Sequence, residues 1–125
     1  VIVSQDWLMR QIEAIVIAIT NLLNIAGLSY TSIKQTNEFE QRFKEKILEG
    51  IKEGRFCEIE NWLCENADEN DDVWLKLAVY FYSESNKLTD DYLKTNWFSR
   101  EEIISGLSRM CKKYGYGDVI DNIVI

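Results

Sequence analysis

The chain contains no proline in 125 residues. At an average usage of about 5%, roughly six would be expected, and proline is the residue that most often interrupts helices and sets turns. Its absence points away from turn-rich β-sandwiches and Pro-rich linkers. The simplest reading is an all-α fold whose helix ends are set by side-chain caps and glycines. Histidine is absent too, which removes Ser-His-Asp and Cys-His hydrolysis, imidazole zinc sites and the commonest general acid/base.

The length fits a single domain over residues 1–125, large enough to bury a core without disulfides or a structural metal. A net charge of -7 opposes nucleic-acid phosphates and anionic membranes, which require a basic footprint, so no nucleic-acid partner is expected. Of the three cysteines, Cys57 and Cys64 stand seven apart, about 10.5 Å along a helix and beyond disulfide reach. With no Cys-x-x-Cys pair, the thiols read as buried structural residues in a reducing cytoplasm, with no metal and no cofactor. No charge occurs between Glu13 and Lys34, a gap long enough to span a bilayer. Thr20, Asn21, Asn24, Gly27 and Ser29 break its apolar run, however, so it reads as a buried helix without stable membrane insertion. It also fails as a secretory signal, because Arg10 is the sole positive charge before it and Asp6 and Glu13 flank it.

Ser4 has the position of an N-cap, with Val3 and Leu8 placed to form a hydrophobic staple, so helix one starts near Gln5. Leu8, Met9, Ile12, Ile15, Val16, Ile19, Leu22 and Leu23 continue a 3.6-residue stripe toward a stop at Gly27. Its opposite face carries Arg10, Glu13, Thr20 and Asn24 with Ile17 among them, which makes this helix central to the fold or half of an oligomer interface. Asn37 and Glu40 have capping-box spacing and predict helix two from there to about Glu53, with Gly54 as its break. Phe56, Ile59 and Leu63, with Trp62 as a further candidate, then form the inner face of helix three. Val73, Trp74, Leu77, Ala78 and Phe81 do the same for helix four. Thr89 caps a short helix from Asp90 to about Asn96. Ser99 and Glu102 form a capping box with Phe98 and Ile103 as its staple, and that helix runs to Gly115. The tail from Gly117 reads as a last docked helix or a strand.

Chemistry-bearing patterns are sparse. Asp68, Asn70 and Asp72 imitate an EF-hand, but Val73 stands in place of the turn glycine and Val79 in place of the bidentate Glu, so these acids read as caps of helix four. The neighbouring pairs Asp90–Asp91 and Glu101–Glu102 sit in first turns and read as capping charges rather than acid/base pairs. Ten of the fifteen aromatic residues lie from Trp62 onward. Trp62 and Trp97 fit their helices' apolar stripes least well, which makes them the best exposed anchors.

Gly54-Arg55-Phe56 between two helices, together with Trp74, Leu77, Ala78 and Phe81, resembles pieces of tetratricopeptide hairpins. More closely, Asp6-Trp7-Leu8-Met9-Arg10-Gln11-Ile12-Glu13 and Phe98-Ser99-Arg100-Glu101-Glu102-Ile103 resemble a family of small uncharacterised proteins from low-GC Gram-positive bacteria. That resemblance implies a bacterial, cytosolic helical protein and no known activity. The resulting expectation is six or seven helices in antiparallel hairpins, tetratricopeptide-like or an irregular bundle, stacked around helix one. Its expected role is a non-catalytic interaction module that binds a protein partner or self-associates along helix one. The candidate contact residues are Trp7, Arg10, Ile17, Trp62 and Trp97. A small-molecule binder or minor enzyme with an aromatic, acidic pocket is the alternative.

Overall fold

The computed structural model describes residues 4–25 and 33–123. Ser4 opens the first helix by accepting the Trp7 backbone N–H on its Oγ at 3.1 Å. That satisfies one of the donors that a helix start leaves orphaned. The elements are α1 (Gln5–Ile25), α2 (Ile33–Lys52), α3 (Phe56–Asn66), α4 (Asp72–Asn86), α5 (Asp90–Thr95), α6 (Arg100–Lys113) and α7 (Gly117–Ile123). The fold is all-α, with no strand among the described residues.

The caps read from the sequence recur at three of these starts. Thr89 Oγ1 accepts from the Tyr92 N–H at 3.1 Å, and Ser99 Oγ accepts from the Glu102 N–H at 3.2 Å. Asp71 Oδ1 accepts from the Val73 N–H at 3.1 Å, while Asp68 Oδ1 holds the Asn70 N–H at 2.9 Å. The acidic loop is therefore built of turn and cap bonds. Tyr114 pins it further, its Oη accepting from the Asp68 N–H at 3.1 Å and donating to the Asp71 carbonyl at 3.0 Å.

One boundary differs from expectation, and one alternative left open is decided. Helix two begins at Ile33, so Asn37 lies inside it rather than capping it. Capping-box spacing without a staple did not stop Lys34, Gln35 and Thr36 from joining the helix, since none of them is a breaker. The tail is a helix, α7, and not a strand. Val3 and Gly27 lie outside the described residues.

The hub of the packing is α4 rather than α1. It packs against α1, α2, α3 and α6, whereas α1 packs against α4, α6 and α7. The reason lies in the faces. Leu75, Leu77, Ala78, Val79, Phe81 and Tyr82 cover most of the circumference of α4 and are all buried. On α1 the buried stripe is Leu8, Ile12, Ile15, Ile19 and Leu23, and the Arg10, Glu13 and Thr20 side stays exposed. Both helices bury several apolar side chains worth about 1.5 to 3 kcal/mol each, and the helix whose buried residues span the wider arc takes the centre.

One close approach fixes how α6 lies on α4. Tyr82 Oη donates to Glu60 Oε2 at 2.6 Å, directly over Gly106, where a Cβ would come 2.2 Å from that hydroxyl. Gly106→Ala is expected to cost about 1 to 3 kcal/mol in urea unfolding. The penalty should shrink in a Tyr82→Phe background, where the nearest of the three clashing atoms is gone.

The thiols correct a sequence expectation as well. Cys57 and Cys64 are exposed, and only Cys111 is buried. On α3 the inward positions are taken by Phe56, Ile59 and Leu63, so a cysteine one or two positions away points outward. Burial pushes the Cys111 thiol from 9.0 up to about 12. An unfolded chain would release that proton near pH 9 while the native state keeps it, so stability should fall as pH rises from about 9 toward 12, by up to about 1.4 kcal/mol per pH unit. Urea titrations at stepped pH should show that slope flattened in Cys111→Ala.

Candidate functional site

Among the described residues, three helices end in the same backbone motif. At the end of α2 the Gly54 N–H bonds the Ile51 carbonyl at 3.0 Å and the Arg55 N–H bonds the Gly50 carbonyl at 2.9 Å. At the end of α6 the Gly115 N–H reaches Lys112 at 3.0 Å and the Tyr116 N–H reaches Cys111 at 2.9 Å. At the end of α5 the Trp97 N–H reaches Lys94 at 3.1 Å and the Phe98 N–H reaches Leu93 at 2.9 Å. This paired bonding is the Schellman motif, which requires a left-handed residue just past the cap. Gly54 and Gly115 supply it with φ of 72° and 86°, whereas the third site has Trp97 at φ 60°.

A tryptophan is a poor choice for that backbone. A left-handed conformation brings Cβ against the carbonyl at a cost of about 1 to 2 kcal/mol, and for a bulky residue it is an outlier. Burial does not compensate here, because Trp97 is 87% exposed. The turn holds this conformation because its surroundings determine it on every side. Before it, the Asn96 side chain donates to the Tyr92 carbonyl at 2.8 Å. After it, Phe98 stacks on Phe56 at 4.8 Å between centroids, and Ser99 caps α6. Tyr92 in turn donates its hydroxyl to the Ile51 carbonyl at 2.7 Å, joining α5 to the end of α2.

Arg100 completes the lock. Its side chain is fully buried, with Nη1 bonded to Asp90 and Nη2 donating to the carbonyls of Leu88 at 2.5 Å and Asn86 at 3.2 Å. A guanidinium suits this place because the C-terminal end of α4 offers unpaired carbonyls and the negative end of a helix dipole. Asn86 then donates to the Met9 carbonyl on α1 at 3.1 Å. Asp90 is therefore a partner of a buried cation as well as a first-turn charge, a role its position in the sequence did not reveal.

The other candidate contact residues are dispersed. Trp7 is 38% exposed and Ile17 61%, and with exposed Arg10 they occupy one side of α1 by spacing. Ile17 is a single apolar residue among polar neighbours there, since the apolar stripe of α1 is turned to the core. Trp62 is not an exposed anchor. It lies 5.4 Å from Trp74 and 5.0 Å from Phe43, ring to ring, in a half-buried aromatic cluster. On α3 alone it falls off the apolar stripe, but α2 and α4 flank that helix and cover a wider face.

Sequence reasoning missed Arg100 and the strain at Trp97. Leu93 and Phe98 occupy the two hydrophobic positions that accompany a Schellman ending, and that spacing was the signal available. The two segments that carried the family resemblance meet in space. Gln5, the residue just before the first segment, donates from Nε2 to Glu101 Oε1 at 3.1 Å, and the Met9 carbonyl within it joins the Asn86–Arg100 network. Among the described residues no cluster of potential metal ligands forms, and no helix is long and apolar enough to cross a membrane.

No curated protein and no solved structure matches the chain significantly. A family model covering residues 2–115 does match, and it includes both of the segments that meet at the Arg100 network. The chain therefore belongs to the family of unknown function DUF6483.

Proposed function

We propose that this protein is a non-catalytic helical interaction module whose anchor is Trp97. The observation that carries this reading is the comparison within the chain. Two Schellman endings use glycine, and the third holds an exposed indole in a conformation that glycine would adopt without strain. Neither packing nor backbone preference explains tryptophan there, and exposed Trp on a rigid turn is the residue type that dominates interface energetics. Strain retained at such a position is characteristic of binding sites.

The partner is a protein offering an apolar socket for the indole, either another protein or a second copy of this chain. Self-association along α1 is the weaker of these readings, because the apolar stripe of that helix is spent on the core and Ile17 is isolated. The two exposed thiols fit a reducing bacterial cytoplasm, and the hairpin made by α2 and α3 around Gly54 is the part of the fold nearest to a tetratricopeptide unit.

Stability and binding should separate at this residue. Trp97→Gly is expected to stabilise the isolated protein by about 0.5 to 1 kcal/mol in urea unfolding, by relieving the left-handed strain. Trp97→Ala should abolish whatever association the native protein makes, read by sedimentation velocity for self-association and by quantitative affinity capture for a second protein. In the native protein the indole emission should shift to the blue and lose acrylamide quenching on binding. Association that survives Trp97→Ala undiminished, or destabilisation by Trp97→Gly, would overturn the proposal.

A further inference from the structure

A second feature lies away from the Trp97 turn, where α1, α2 and α4 diverge. They leave a cleft of about 370 Å³, within the size range of small-ligand sites. Its floor is apolar, formed by Val16, Leu23 and Val79. Its walls carry Lys44 from α2 and Lys76 and Tyr80 from α4, with Thr20, Asn24 and Ser83 as neutral hydrogen-bonding groups.

The charges are arranged rather than scattered. Lys76 Nζ is 3.5 Å from Glu40 Oε1, whose side chain is only 14% exposed. Lys44 Nζ sits 5.1 Å from the centroid of the Tyr80 ring, a cation–π contact that holds the ammonium at the cleft wall. Among the described residues, Lys44 makes no ion pair. Two lysines and one glutamate leave the lining with one net positive charge, on a protein whose total is -7. Local cationic excess above an apolar floor selects an anion with a hydrophobic body. A single excess charge, without an arginine fork or a cradle of backbone N–H groups, matches a monoanion better than a phosphate dianion.

We infer that this cleft is a binding site for a small carboxylic acid with an apolar body. The carboxylate lies between Lys44 and Lys76, and the body rests on Val16 and Val79. This is the small-molecule reading of the chain with a cationic lining in place of the acidic one expected from composition, and it is independent of the Trp97 proposal.

The test is amide chemical-shift mapping of the full chain with phenylacetate and octanoate, using phenylacetamide and octanamide as neutral controls and phenyl phosphate as a dianion. Saturable shifts at Thr20, Lys76, Tyr80 and Ser83 are expected with the acids and not with the amides. Lys44→Gln keeps the Lys76–Glu40 pair and should weaken acid binding about tenfold, with an unchanged unfolding midpoint showing that the fold is intact. Lys76→Gln, made separately, should weaken it as well. The inference is overturned if neither acid gives saturable shifts at these residues up to ~10 mM, tenfold weaker than a millimolar Kd. It is also overturned if the amides bind as well as the acids, if phenyl phosphate binds more tightly than phenylacetate, or if both lysine variants bind like the native protein.

Discussion

A single buried cation ties the architecture together. Arg100 is the first residue of α6, yet its guanidinium reaches the C-terminal end of α4, the first residue of α5 and, through Asn86, the backbone of α1. Such a charge is tolerated in the interior only when it is paired and well hydrogen-bonded; Nη1 and Nη2 are both bonded here, and Nε is buried without a partner. Here the acceptors are the carbonyls that the end of α4 leaves unpaired, so one side chain resolves two problems that burial would otherwise create. Movement among α4, α5 and α6 would expose or orphan this group, and movement of α1 would orphan the Asn86 side-chain amide.

That constraint reaches the surface three residues earlier. Phe98 and Arg100 are both held in the interior, so the intervening chain has little freedom in how it leaves α5. The turn closes as a Schellman motif, and its left-handed position falls on Trp97. A flexible turn would relax to relieve a strained tryptophan. A turn fixed at both ends keeps it, and thereby presents an indole to solvent in one orientation. Preorganisation of this kind lowers the entropy lost on binding.

The α1–α2–α4 cleft has a different origin. Both α1 and α2 pack against α4, and the three helices part where α4 carries Lys76, Tyr80 and Ser83 instead of aliphatic residues. The molecule therefore carries two separate surface features, an exposed tryptophan on a fixed turn and a cleft with a cationic lining.

Much of this fold was legible from one dimension because its signals are local. The absence of proline and the Ser4, Thr89 and Ser99 caps fix helical class and three helix starts through interactions that span three residues. The buried stripes of α1 and α6 follow from the period of the α-helix alone. Asn37 misled because a local pattern without tertiary support does not start a helix, and Trp62 misled because one helix's stripe does not reveal how many neighbours cover it. Long-range geometry decided the rest. That Arg100 is buried depends on Asp90, Asn86 and Leu88 arriving from other elements, and that Trp97 is exposed and strained depends on the interior grip on Phe98 and Arg100. The same is true of Lys44 and Lys76, which lie 32 positions apart and share one cleft wall only because α2 and α4 pack side by side. The sequence alone determined which segments would be helical, since backbone hydrogen bonds and caps are short-range. Only the tertiary structure decided which charges and aromatics would be buried, paired or presented, since those outcomes depend on the packing of residues distant in the chain.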